Sequence, residues 1–352
     1  MRVRTHLLAA TVAGLVLPAS VVASPVLADA PACPTQGSVQ GTVSDIGGTV
    51  PSGDAQVSLF VWDASAGVFQ PTSAPQPVTD GGRYCFPGLD AGYYTVRVQD
   101  TSGWYVAETW AGSSGQRPAT SSTADGSGVV EVPEPPVPPD GTGATTPPTP
   151  ALDVTVLRQL SNEGAAPGVT GLRRFGYRLS ATPGGWSPDA STLSFTWQWQ
   201  RVDSLGNARD IPGATGPTYV LTAAEVGNDI RVRATGWRAG YAPQSGYSDA
   251  TEVKRAYSAT GVRLAYRRIH ATSRGRVRVT VTPSTAPPTG TVTVRVDGRK
   301  RLATTLGPTQ AGSVALALPR LGRGTHRVVA AYGGSRGLYG STSRATWLTV
   351  VR

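Results

Sequence analysis

Outside its first thirty residues the chain of 352 holds two histidines, two lysines and two cysteines with which to attempt nucleophilic, metal or redox chemistry. A nucleophilic triad needs an imidazole or amine within hydrogen-bond reach of its hydroxyl or thiol. The candidates are His270, His326, Lys254 and Lys300, all C-terminal of Val253. Each histidine stands beside arginine or at a strand start after a turn, without an acidic neighbour to orient its ring, and reads as an ordinary surface residue. Paired carboxylates are the other route to hydrolysis. Asp45, Asp54, Asp63, Asp80, Asp90 and Asp100 supply them, yet most lie in Gly-flanked turns, where Asp is favoured because its side chain bonds nearby backbone. No Asp-x-Asp-x-Asp-Gly run offers a calcium loop. No catalytic residue, metal or cofactor is assigned, and the chain reads as non-catalytic.

Cys33 and Cys85 are the only cysteines. In an oxidising medium their pairing is the simple reading, with two buried free thiols the alternative. Two thiolates without nearby histidine cannot complete a tetrahedral metal site. Trp104, Tyr105 and Trp110 lie in a Gly- and Ser-containing stretch after a strand. Flat rings of this kind stack on sugar faces, and they also cover the edges of cores.

Charge divides the chain unequally. From Pro31 to Pro133 three arginines face nine acids, and from Ala151 to Arg255 eleven basic residues face nine acids. From Ala256 to Arg352 sixteen basic residues face one acid, Asp297. The overall +10 therefore belongs to the C-terminal end. Arg276, Arg278 and Arg295 are expected to project from one sheet face there, with Arg263, Arg267, Arg268, Arg299, Lys300 and Arg301 on adjoining turns and strands. Such a field attracts phosphate- or carboxylate-rich polymers, wall teichoic acids and anionic lipid surfaces among them. The competing reading is an Arg-rich bias on a solvated surface. No nucleic-acid reader motif is present, and nucleic acid is not expected as a partner.

The elements that must position these residues begin after an export signal. Arg2 and Arg4 precede an apolar run over residues 7–17, too short for the ~20 residues that span a bilayer. Val26-Leu27-Ala28 places the cut after Ala28, making 1–28 a signal peptide. A cut after Ala30 would leave a proline first, and lipidation at Cys33 lacks the usual upstream leucine. The rest is rich in Gly, Pro, Thr, Ser and Val, material for strands and turns. The prolines of 133–150 cannot join a sheet ladder, and this segment reads as a semi-rigid spacer. It separates a domain over 33–132 from domains over 151–255 and 256–352.

Strand periodicity recurs in all three domains. Val57, Leu59 and Val61 alternate in the first, and Tyr94-Thr95-Val96-Arg97-Val98 follows the turn at Asp80-Gly81-Gly82. Phe195, Trp197 and Trp199 alternate in the second. Val277, Val279 and Val281, then Val292, Val294 and Val296, alternate in the third. Short alternating runs between turns mark antiparallel sandwiches. The fold class is all-β, three β-sandwiches in series.

Resemblances sharpen this. Gly41-Thr42-Val43, Thr79-Asp80-Gly81-Gly82-Arg83-Tyr84 and Phe86-Pro87-Gly88-Leu89-Asp90-Ala91-Gly92-Tyr93-Tyr94 resemble the carboxypeptidase regulatory-like, prealbumin-type domains of bacterial exported proteins. Related domains of Gram-positive surfaces carry a Lys to Asn cross-link, which this domain cannot form because it has neither residue. Trp197-Gln198-Trp199, Ile211-Pro212-Gly213 and Glu225-Val226-Gly227-Asn228-Asp229 resemble a bacterial immunoglobulin-like repeat, in which Trp199 would pack against the opposite sheet. Pro288-Thr289-Gly290-Thr291-Val292 and Ala331-Tyr332-Gly333-Gly334 resemble another such repeat, of the Tyr-Gly-containing type. Together with the export signal and the basic C-terminal end, these resemblances are read as a secreted or wall-associated protein of structural or adhesion type, expected as a monomer, its basic domain on anionic envelope polymers. A carbohydrate-binding role for the first domain's aromatics is the alternative. The chain stops in the strand 346–351 with no sorting motif, so export is implied and anchoring is not.

Overall fold

The computed structural model describes residues 33–123, 126–134, 148–282 and 286–352. The signal segment 1–28 and most of the proline-rich stretch lie outside the described residues. What is described is β, apart from two 3-10 turns at Ala190–Thr192 and Pro308–Gln310, and the sheets pack in pairs as β-sandwiches.

In the first sandwich, Ser38–Asp45 pairs antiparallel with Arg83–Pro87. This small sheet faces a larger one centred on Ala55–Asp63 and Gly92–Asp100, which run antiparallel. Val57, Leu59, Val96, Val98, Val39 and Val43 fill the space between and are at most 2 % exposed. The large sheet is covered on its outer side too. Phe60, Phe69, Trp110 and Val129 form a second cluster there, because Glu108–Trp110 adds to Gly92–Asp100 and the chain beyond folds over it. Cys33 and Cys85 form a disulfide closing 52 residues, worth about 4 kcal/mol in the chain-entropy model.

Where the sequence reading begins a new domain at Ala151, the structure has an edge strand of the first sandwich. Val154–Thr155 pairs parallel with Ser38–Asp45. The amides of Leu152 and Val156 donate to Gln40 and Ser44, at 2.8 Å each. Val154 and Val156 are buried in the first core. Gly41 is required for this pairing, since a Cβ there would collide with the Leu152 carbonyl. Two residues later the same segment meets the second sandwich. Arg158–Gln159 pairs with Tyr241–Ala242, while Gln159 N–H donates to the Trp104 carbonyl at 2.8 Å and Val106 N–H to Leu157 at 2.9 Å. Arg158 also holds Asp45 at 2.6 Å, with the carboxylate 3 % exposed.

The second sandwich stacks a sheet of Gly168–Thr170, Arg178–Thr182 and Thr218–Val220 on one built around Ser194–Val202 and Asp229–Trp237. Trp199 is fully buried, its indole N–H donates to the Gly216 carbonyl at 3.0 Å, and its ring stacks on Tyr219. This is the packing role expected of it. Beside it lies a buried acid. Glu225 is 1 % exposed and accepts from Arg201 at 2.7 Å and from the Thr222 N–H and hydroxyl at 2.8 and 2.6 Å. Burial pushes its carboxyl up, and the bonds from Thr222 and Arg201 outweigh that and hold it below the ordinary range.

In the third sandwich Ala259–Leu264, Arg276–Thr282 and Ser313–Ala317 form one sheet. The other orders Arg268–His270, Thr346–Val351, Gly324–Tyr332, Gly290–Val296 and Arg299–Leu306. The six alternating valines are at most 2 % exposed. Phe175 and Tyr177 of the second sandwich pack on this core, and Lys254 and Ala256 donate to Arg173 and Gly337 at 2.9 Å each. Tyr257 and Tyr339 stack over that seam at 5.4 Å, with Arg174 over Tyr257 at 4.7 Å.

Glu225→Ala leaves Arg201 unpaired and the Thr222 N–H without its acceptor. Because Arg201 is 38 % exposed, the expected loss is about 2 kcal/mol, below the 3–5 of a fully buried pair. The sign with pH follows from the lowered carboxyl: the contribution is present above the unfolded value near 4.5 and is lost as pH falls through the folded one. Urea unfolding of wild type and Glu225→Gln between pH 3 and 6 checks this, and equal acid sensitivity would count against it.

Candidate functional site

The cationic side chains of the third sandwich project from strands whose alternate residues are core valines, so strand period decides their direction. Arg276 and Arg278 leave the three-stranded sheet, with Arg263 directly opposite Arg278. Arg295 leaves the other sheet, directly opposite Lys300, with Arg299 and Arg301 exposed beside it. The expectation of a single face is therefore corrected: Arg276 and Arg278 are on one sheet, and Arg295, Arg299, Lys300 and Arg301 on the other.

The larger sheet also carries Arg268, named in the sequence reading, and Arg327, which was not. Both are exposed, and Arg327 pairs across the ladder with Trp347, whose ring is 55 % exposed. Arg268 pairs with Thr349, two residues further on the same face. Two like-charge cross-strand pairs, Arg263 with Arg278 and Arg295 with Lys300, destabilise a sheet. An anion lying between such side chains removes that cost.

The domain's single acid is already committed. Asp297 and Gly298 make the two-residue turn between Gly290–Val296 and Arg299–Leu306, both with positive φ, 53° and 79°, as a tight hairpin of right-handed twist requires. That turn brings the Asp297 carboxylate to His326 Nδ1 at 2.7 Å, while His326 Nε2 lies 2.8 Å from the Gly322 carbonyl. His326 therefore has the acidic neighbour that its sequence surroundings lack. The Asp297 carboxylate and the Gly322 carbonyl hold the imidazole above its ordinary range, and His326 holds Asp297 below the carboxylate range. Both ring nitrogens face acceptors, so the protonated ring can donate to the Asp297 carboxylate and the Gly322 carbonyl together. His270 bonds the Thr272 hydroxyl at 2.8 Å. Among the described residues no cluster of three His, Cys, Asp or Glu can hold a metal ion.

The three aromatics assigned to glycan stacking part company. Trp110 is 7 % and Tyr105 5 % exposed. Trp110 is tilted against Phe60 at 4.7 Å, with Arg97 and Arg117 over its ring at 5.7 and 5.6 Å. Neither ring can offer a face to a ligand. Trp104 is 68 % exposed and borders an open groove of about 770 Å³ that the first two sandwiches share. Tyr247, which the sequence reading missed, borders the same groove.

Residues 267–351 match the family model described as bacterial Ig-like domain (group 3), in agreement with the resemblance drawn for the third domain. No curated protein matches the chain significantly. Among solved structures, the chain is similar to a tetra-tandem repeat in the extending region of a large adhesion protein, at 14 % identity over 88 % of this chain and 74 % of that one, with a TM-score of 0.28. It is similar to BcpA, the major pilin subunit of Bacillus cereus, at 10 % identity over 90 % and 95 %, TM-score 0.26. It is also similar to the N-terminal four Ig domains of Dscam1 isoform 8.4, at 9 % identity over 84 % and 92 %, TM-score 0.24. Scores of this size do not by themselves carry a shared function.

The His326–Asp297 pair makes third-domain stability fall on the alkaline side. A raised imidazole contributes in full below its unfolded value near 6.5 and ceases to as pH rises through the folded one. For a partly exposed pair the expected loss is about 0.5–1 kcal/mol between pH 6 and 8.5. Urea midpoints for wild type should drop over that range, those for His326→Gln should not, and matching profiles would contradict the assignment.

Proposed function

We propose that the chain is an exported, non-catalytic structural or adhesion-type protein whose third domain rests its larger sheet on anionic polymers of the cell envelope. The observation that carries this is the exposed row of Arg268, Arg295, Lys300 and Arg327 around Trp347, on a domain whose only acid is bonded to His326. Like charges held directly opposite one another favour a polyanion threaded between them, and the exposed indole adds a flat face for its sugar or polyol carbons. Export is supported by the basic and apolar N-terminal run and by the disulfide, which persists in oxidising compartments. No helix among the described residues is long and apolar enough to cross a membrane. The first domain, on this reading, is a carboxypeptidase regulatory-like unit that lends length and rigidity.

The test is co-sedimentation of the full chain with Gram-positive cell walls before and after removal of their phosphate polymers. Binding at low salt should require those polymers and be released near ~0.5 M NaCl, where the Debye length falls to about 4 Å. Replacing Arg295, Lys300 and Arg327 with Ala should weaken it at least ~10-fold by reducing the number of counterions released. Salt-resistant retention, or equal binding to stripped walls, would remove the proposal.

A further inference from the structure

We infer that the groove between the first and second sandwiches is a binding site for an uncharged oligosaccharide. It goes beyond the envelope-anchoring reading and stands on different residues.

The groove has the size of a ligand site, about 770 Å³, and lies where such sites concentrate, between two domains. Its walls are fixed before any ligand arrives. On the first-domain side Asp100 ties down the loop carrying Trp104. Its carboxylate accepts from the Ser102 N–H and hydroxyl at 2.9 and 2.8 Å and from Gly103 N–H at 2.8 Å. The Trp104 carbonyl is held by Gln159 N–H at 2.8 Å, so the strand that joins the sandwiches also fixes the backbone that carries the indole. The loop's bonds hold the backbone, yet the side chain is left 68 % exposed. Packing does not explain an exposed tryptophan carried on a tied-down loop, whereas stacking on the apolar face of a sugar ring does.

On the opposite wall Tyr247 is 44 % exposed, and the Arg231 guanidinium fixes its ring from 4.6 Å. Between the rings the lining is amide and hydroxyl: Gln159, Asn162 and Gln244 with several serines. Asn162 spends its amide nitrogen on the Gly185 carbonyl at 2.7 Å, which fixes its side-chain carbonyl as an acceptor. Amides that both donate and accept suit sugar hydroxyls. Glu163 is the one charged side chain of the lining, and the Arg231 guanidinium beside the groove is engaged by Tyr247 and Gln200, so no lining residue is a cation for an anionic chain, and an uncharged glycan fits it.

The experiment is titration of the full chain with cellohexaose, chitohexaose and maltohexaose, followed by tryptophan fluorescence and calorimetry. At least one should bind with a Kd of about 1 mM or tighter, unaltered by 0.5 M NaCl, which separates this site from the cationic face. Trp104→Ala and Tyr247→Ala should each weaken binding about 10-fold or more, and Trp104→Phe should restore most of it. Both side chains are exposed, so unchanged thermal midpoints will show the variants folded. Failure of all three sugars to bind, survival of binding in the double variant, or loss of binding in salt would each overturn the inference, and none of these outcomes touches wall binding by the third domain.

Discussion

The structure depends on a short stretch of backbone, residues 152–159, that belongs to two sandwiches at once. Leu152 to Val156 completes the edge of the first small sheet, and Arg158–Gln159 pairs with the second sandwich. An edge strand with open N–H and C=O groups is a liability in water, and this segment closes the first domain's edge with the chain that leaves it. The two units are thereby joined by ladder bonds and by the buried Asp45 carboxylate, which Arg158 neutralises. The groove, the setting of Trp104 and the spacing of the domains all follow from that junction.

Much of the fold was legible because it obeys one period. Valines at every second position in 277–281 and 292–296 are buried, and Trp199 fills its core as its strand pattern demands. The cysteine pair was legible from compartment and count. Coverage of the outer face of the first domain's large sheet was not. Phe60 and Trp62 look outward by alternation, and the cluster that receives Phe60 is supplied by Phe69, Trp110 and Val129, from three separate stretches of chain. Of the two readings open for Trp110, core packing is the one the structure has, and no local signal marks Val129 as the residue that returns to cover it.

The charged sites show the same division between local and long-range information. That Arg276, Arg278 and Arg295 point away from the core follows from periodicity. That they do so from opposite sheets is a matter of strand order, which the three-strand and six-strand pairing settles. His326 and Asp297 are far apart in sequence and meet through a hairpin turn; the Asp297-Gly298 dipeptide after the alternating valines of 292–296 was the one available sign. Glu225 has a local signature, Thr222 three residues before it in a capping-type arrangement, though its partner Arg201 lies across the sandwich. Trp347 and Arg327 gained their meaning only when the ladder placed them side by side.

The sandwiches are fused, with a basic outer sheet on the third and a polar groove where the first two meet. All of this rests on residues 152–159 being sheet and not tether. Native-state hydrogen exchange on the amides of Leu152, Val156, Arg158 and Gln159 tests that most directly. Protection comparable with the central strands Ala55–Asp63 and Gly92–Asp100 is the result this structure predicts; exchange at the rate of an unbonded linker would contradict it.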